Sequence, residues 1–372
     1  MTVTEPRQAT ELRPATEPVD AVGTADVATP VGATGLVVTA RALVAGDKGL
    51  LAMDESTRTC NERFAAAGIA QSEGVRRDYR ELLVRTPGLG DCISGAILYD
   101  ETIRQRTSDG VPFAQAVTDA GIIPGIKVDI GELPLAAHPG EQVTEGLDGL
   151  ADRLSEYYKM GARFAKWRAV FDIGDATPSA GCMNANAGGL ARYAAACQEA
   201  GLVPVVEPEV LMAGDHTLAR CEEVTEDVLR AVFTHLVDQR VVLEAMILKP
   251  NMVLPGSACP TQNGVDQVAD ANLRCFRRAV PAAVAGVAFL SGGQPGELAS
   301  ARLNAINQRA ASAPWALAFS FARAIQHPAL EIWGGNDANV TAAQDALYHR
   351  ARCNQAARRG EYQPKMEETK RS

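Results

Sequence analysis

The chain alternates eight times between a short apolar run and a stretch with helical spacing, a rhythm that few architectures accept. The runs cover residues 49–53, 94–99, 125–128, 164–167, 202–206, 245–248, 284–290 and 315–319. Among the intervening stretches, Leu147, Leu150, Leu154, Tyr157 and Tyr158 recur at intervals of three and four. Leu190, Tyr193, Ala194 and Cys197, following Asn186, do the same. That spacing marks one face of a helix. Alternating strand and helix signals imply parallel strands joined by right-handed crossovers. Eight such units closing on themselves make an α/β fold of the (β/α)8, or TIM-barrel, type, whose usual length accommodates the roughly 335 residues that carry the rhythm. A doubly wound open sheet is the alternative, but no G-x-G-x-x-G turn follows the first run.

The flanks read differently. Residues 1–35 are rich in Ala, Thr, Pro, Glu and Val without a period, and are expected to be a disordered extension. Glu5, Glu11, Glu17, Asp20 and Asp26 make it acidic, and it has neither a basic start nor an apolar h-region, so a leader peptide is not expected. The barrel is expected over 36–345 as a single catalytic domain, with 346–372 supplying a helix end and a flexible tail.

Composition removes several function classes. A formal net charge of -9 argues against a nucleic-acid partner, which usually meets a basic face. It leaves phosphorylated substrates open, because a site needs only a few local cations. No apolar stretch approaches the roughly 20 residues of a membrane span, so no membrane partner is expected. The eight cysteines are scattered without a CxxC pair, which reads as reduced thiols in a cytoplasmic protein. The five histidines show no HExxH or similar spacing, so a histidine-based metal site is not expected.

Charged residues gather at the C-terminal ends of the apolar runs: Asp54, Asp100, Lys127 with Asp129, Lys166 with Arg168, Glu207 with Glu209, and Lys249. The turn Ser291-Gly292-Gly293 ends the seventh run, and Arg323 follows the eighth. In a parallel barrel these ends share one face, and residues two apart on a strand point the same way. Any one such charge alone is more often solvated than functional. Together they offer a chemistry. A lysine at the end of a buried strand suits Schiff-base formation, since attack on a carbonyl needs the neutral amine. Lys166 is the leading nearby cation to favour that form of Lys249. Glu207 is placed to shuttle protons, and Asp54 offers a second carboxylate to take one from a substrate hydroxyl. The Ser291-Gly292-Gly293 turn and Arg323 suit a phosphate, at the place where such barrels commonly hold one.

At these residues the chain closely resembles the class I fructose-bisphosphate aldolases. The matching segments are LLAMDEST (50–57), GIKVD (125–129), FAKWR (164–168), VPVVEPEVL (203–211), ILKPNMVLPG (247–256), FLSGGQ (289–294), LNAINQ (303–308) and PWALAFSFARA (314–324), in family order. The resemblance implies a carbon–carbon lyase, needing no metal or other cofactor, that cleaves fructose 1,6-bisphosphate through a lysine Schiff base, and a homotetramer. Residue by residue, it implies that Lys249 forms the imine. Glu207 is the implied acid/base with Glu209 in support, Asp54 accepts the proton of the 4-hydroxyl, and Lys166 holds the electrostatics. Ser291, Gly292, Gly293, Ser320 and Arg323 are implied for the C1 phosphate. Arg63, Lys127 and Arg168, with the hydroxyls of Ser56 and Thr59, are implied for the other end. A transaldolase would not explain two phosphate sites, and a purely scaffolding barrel would not retain Asp54, Lys166, Glu207 and Lys249 together.

The chain departs from the vertebrate pattern in places. Ala322 replaces a glycine before Arg323, which matters if that position needs a positive φ. Arg58 replaces a glycine and Glu62 a lysine, next to the implied C6-phosphate contacts. No tyrosine follows Tyr362, whereas the vertebrate tail ends in one that assists proton transfer at the enamine.

Overall fold

The computed structural model describes Met1 and residues 33–368. Most of the segment read as an N-terminal extension lies outside the described residues; its last positions, from Ala33, already belong to a helix, Ala33–Leu43. Ten strands follow: β1 Gly49–Ala52, β2 Ile93–Leu98, β3 Ile123–Lys127, β4 Gly131–Pro134, β5 Gln142–Glu145, β6 Phe164–Phe171, β7 Val203–Val210, β8 Ile247–Leu248, β9 Gly286–Phe289 and β10 Ala316–Phe321. Eight of them close a barrel in the order β1-β10-β9-β8-β7-β6-β3-β2, every pairing parallel. Each of the eight apolar runs supplies one of these strands, because strands buried on both faces are written almost wholly in hydrocarbon. The antiparallel pair β4–β5 stands outside the barrel, between β3 and β6. It is short and largely exposed and left no apolar signature.

Helices clothe the barrel. Helix Ala180–Glu199 starts where the Ser179 hydroxyl accepts the Cys182 N–H at 3.1 Å, the usual N-cap arrangement. Its buried Tyr193 stacks on Trp167 of β6 and donates its hydroxyl to the carbonyls of Ala165 and Val205, sealing β6 and β7 from outside. Helix Leu150–Lys159 buries Leu150, Leu154 and Tyr157. Tyr158, expected on that face, is exposed, and Leu147 precedes the first turn.

Period-two alternation sorts the strand residues into an inner and an outer set. Leu50, Ala52, Ile97, Phe164, Val203, Val205, Ile247, Ala288 and Ala318 pack with one another inside the barrel, together with Leu43 and Val44 from below. Glycines make room at the bottom: a Cβ on Gly125 would come 2.2 Å from the Phe164 ring. Higher up the same inward rows the chemistry changes. Phe164 gives way to Lys166 and Arg168 on β6, and Val203 and Val205 give way to Glu207 and Glu209 on β7.

After the last helix, Val340–Arg358, the chain turns back through a short 3-10 turn, Pro364–Met366. The boundary expected at 345/346 falls inside that helix. Tyr362 is buried, its N–H held by Asn304 Oδ1 at 2.9 Å. Residues 369–372 of the expected tail lie outside the described residues.

Candidate active site

The switch from hydrocarbon to charge builds a cluster at the C-terminal mouth. Lys166 Nζ lies 2.7 Å from Asp54 Oδ2 and 3.1 Å from Glu207 Oε2, and Lys249 Nζ lies 2.9 Å from Glu207 Oε1. All four residues are buried, Lys249 at 3% exposure. The backbone fixes them. Lys249 follows the two residues of β8 and extends the ladder, its N–H donating to Val206 O at 2.8 Å. Asp54 stands just past β1, after Met53 has donated to Ile97 O. Register puts Arg168 level with Glu207 and Lys127 level with Lys166.

Burial and charge compete for each group. Burial alone would raise the Asp54 carboxyl, but the ammonium groups of Lys166 and Lys249 prevail and hold it well below the usual carboxylate range. Burial also opposes ionisation of Glu207, and Lys166, Lys249 and Arg168 together hold it low. Lys166 loses by burial and gains more from Asp54 and Glu207, so its pKa is raised and it stays charged. Lys166 is therefore matched by two carboxylates rather than standing as the open cation expected beside Lys249.

The cluster lines a cavity of about 970 Å³, whose walls include every expected site residue. On one side Ser291, Gly292, Gly293, Ser320 and Arg323 come together. Gly292 and Gly293 have φ of 59° and 88°, conformations that favour glycine. A Cβ on Gly293 would come 2.9 Å from Arg323 Nη2, so this glycine also admits the guanidinium. The Ser320 hydroxyl is buried without a hydrogen-bond partner, and a buried polar atom in that state calls for one. Among the described residues, no carboxylate lies within ion-pair range of Arg323. Ala322 has a φ of -105°, so its methyl meets no left-handed strain.

The opposite side is already paired. Arg63 is bound by Glu55, which also holds Arg80 at 2.5 Å. Lys127 is bound by Asp129. Arg168 meets Glu209 and Glu132, each at 2.6 Å. Glu209, expected to support Glu207, is thus turned to Arg168. Ser56 and Thr59 share a hydroxyl contact of 3.1 Å, and Ser56 also caps the helix Thr57–Ala66. Arg58 points to solvent and pairs at 2.9 Å with Glu62, so the two departures in this segment answer each other. Tyr362 donates to Glu367 and does not line the cavity.

Sequence reasoning gave no role to Glu55, Glu132, Arg104 or Arg153, all of which line the cavity. Glu55 sits inside the LLAMDEST segment, so its position was a signal. Glu132 sits on β4, which carried none.

A barrel with a buried carboxylate shared by two lysines, below a mouth rich in cations, defines an enzyme built for carbonyl chemistry on anionic small molecules. The family model described as fructose-bisphosphate aldolase class-I matches residues 35–372. A probable fructose-bisphosphate aldolase class 1 of Xanthomonas campestris pv. campestris is 55% identical over 328 residues, covering 88% of this chain and 98% of its own. A muscle-type fructose-bisphosphate aldolase of Lethenteron camtschaticum is 50% identical over 326 residues, covering 87% and 90%. The fructose-bisphosphate aldolase of Plasmodium falciparum, solved with TRAP and a small-molecule inhibitor, superposes with a TM-score of 0.88 at 46% identity, covering 90% of this chain and 97% of that one. The chain belongs to the class I fructose-bisphosphate aldolase family. Members of that class are lyases that work without a metal. Among the described residues no helix is long and apolar enough to cross a membrane.

Proposed function

We propose that this chain reversibly cleaves fructose 1,6-bisphosphate to dihydroxyacetone phosphate and glyceraldehyde 3-phosphate through an imine on Lys249. The observation that carries the reading is the Lys249 amine, buried at the barrel mouth and 2.9 Å from Glu207. Lys249 gives a proton to Glu207 and its free amine attacks the C2 ketone, forming a carbinolamine. Glu207 returns the proton to the departing hydroxyl, and water leaves. The protonated imine then draws electrons from the C3–C4 bond as Asp54 takes the proton of the 4-hydroxyl. Glyceraldehyde 3-phosphate departs, leaving an enamine, which is protonated at C3 and hydrolysed. Asp54 is a weak base at rest, because Lys166 holds it anionic, and it becomes competent as the hydroxyl acidifies with bond cleavage.

Arg323, Ser320 and the Ser291-Gly292-Gly293 turn take the C1 phosphate. Lys127, Arg168 and Arg63, with Ser56 and Thr59, take the C6 end. A phosphate there displaces or shares the carboxylates that already pair those cations, so the Arg323 side binds its phosphate more tightly. A cytoplasmic location and a homotetramer go with this reading, the first from the reduced thiols and the second from the family resemblance.

The test is to incubate the protein with fructose 1,6-bisphosphate in EDTA, reduce with borohydride and map the adduct by mass spectrometry. A three-carbon phosphate or hexose bisphosphate on Lys249 is expected. An adduct on another lysine, or none on folded protein, overturns the assignment.

A further inference from the structure

A second group of ligand-type side chains lies outside the barrel mouth. His349 and Cys353 stand four residues apart on helix Val340–Arg358, and so share a face. Glu367 reaches them from the segment that folds back after that helix. His349 Nε2 is 3.3 Å from Glu367 Oε2 and 3.6 Å from Cys353 Sγ, and the three ligand atoms lie within 4.8 Å of one another. None of the three lines the active-site cavity.

We propose that His349, Cys353 and Glu367 bind a zinc-class divalent cation that clasps the C-terminal segment to the last helix. The two distances from His349 Nε2 match edges of a tetrahedral site. Bonds of about 2.0–2.1 Å to nitrogen, 2.0–2.2 Å to oxygen and 2.3 Å to sulfur at tetrahedral angles give edges of about 3.3–3.5 Å for N···O and about 3.5–3.6 Å for N···S. The donor set, one imidazole, one thiolate and one carboxylate, suits such a cation.

The surroundings are arranged to present it. Arg350 and the Tyr362 hydroxyl both hold Glu367 Oε1, which leaves Oε2 facing His349. Outer contacts of this kind orient metal ligands. The His349 side chain is about one-third exposed, at 32%, so a cation can enter and water can fill the fourth position. A thiolate and a carboxylate balance the two charges of the cation. Binding replaces the S–H bond by a sulfur–metal bond and releases that proton to solvent. The same distances also fit a His349 Nε2–H shared between Glu367 Oε2 and Cys353 Sγ, and the test separates the two.

The experiment is to strip the full chain with a chelator, titrate it with cobalt(II) and record absorption. A single equivalent is expected to give tetrahedral visible bands and a thiolate-to-cobalt charge-transfer band, both bleached by zinc. His349→Gln and Cys353→Ser should each remove them. Tyr362→Phe, which leaves all three ligands, should weaken affinity by roughly 10- to 100-fold. Circular dichroism and aldol cleavage, which needs none of these residues, confirm that each variant is folded. Absence of the charge-transfer band in the parent protein, or its persistence in folded His349→Gln and Cys353→Ser, overturns the proposal and leaves a hydrogen-bonded cluster.

Discussion

Replacing Lys166 by Met removes the ammonium that meets Asp54 at 2.7 Å and Glu207 at 3.1 Å, in a site where all three side chains are buried. Removing one partner of a buried ion pair costs about 3–5 kcal/mol, because the other charge is left without compensation. Glu207 keeps Lys249, and Asp54 still feels Lys249 and Lys127, which places the loss near the lower end, about 3 kcal/mol. The pH dependence makes the test specific. In the parent protein the Asp54 and Glu207 carboxyls are held low, so their contribution is complete above the ordinary carboxylate pKa of about 4 and is lost only as pH falls through the lower folded values. Between pH 5 and 7 these groups leave its stability flat. In the variant burial dominates at Asp54 and lifts its carboxyl above the unfolded value, so stability falls as pH rises through that window. The gap between the two proteins therefore widens from pH 5 to pH 7, by about 1.4 kcal/mol for each unit of upward shift lying in the window. Urea unfolding at fixed protein concentration measures it, and thermal scans should show a loss of about 4 °C at pH 7. A loss under about 1 kcal/mol at pH 7, or a gap that does not narrow at pH 5, would refute the claim that Lys166 is the counter-charge of Asp54.

Other expectations follow from the same geometry. Arg323→Ala removes an unpaired guanidinium from the wall nearest Ser320 and should weaken substrate binding by about 10- to 100-fold, matching charged hydrogen bonds worth about 1.5–3 kcal/mol; unchanged KM and inhibition by inorganic phosphate would count against a phosphate there. Asp54→Asn should lower the cleavage rate about 10²- to 10⁴-fold while borohydride still traps dihydroxyacetone phosphate on Lys249, since the proton acceptor is lost but the nucleophile is kept. Loss of trapping in the folded variant would mean that Asp54 acts earlier. Arg58→Ala should change stability by less than about 1 kcal/mol and leave turnover alone, as its pair with Glu62 is exposed; a marked rise in KM would place Arg58 at the substrate after all.

What the sequence made legible was the part of the fold that is buried on two sides. A parallel barrel strand writes itself as an uninterrupted apolar run, so all eight strands were readable, and their order along the chain gave the closure. Their ends were harder. Strands β6 and β7 continue to Phe171 and Val210, beyond the apolar runs, because Lys166, Arg168, Glu207 and Glu209 are inward-facing strand residues rather than residues past the end. Lys249, Glu207, Asp54 and Lys166 were legible as charges set against hydrocarbon. Their pairing was not, since the sharing of Glu207 by two lysines depends on inter-strand register. Glu55 and Glu132 escaped because a carboxylate that neutralises an arginine from a loop or a polar hairpin obeys no period. The cluster of His349, Cys353 and Glu367 escaped for a related reason: its third member arrives only when the chain doubles back.

The four-membered cluster of Lys166, Asp54, Glu207 and Lys249 holds two ammonium groups against two carboxylates. It is formally neutral, and a proton moving from Lys249 to Glu207 leaves it neutral. The protonated imine that replaces the ammonium also carries one positive charge. In the proposed mechanism, Asp54 takes the proton of the substrate hydroxyl as the iminium becomes a neutral enamine, so the two changes cancel and the cluster stays neutral. On that mechanism the interior of the barrel would run through imine formation and bond cleavage without importing charge from water. Ionic strength should then act on the capture of the doubly charged phosphates at the cavity wall, where screening reaches, and leave the rate of the bond-breaking step nearly untouched.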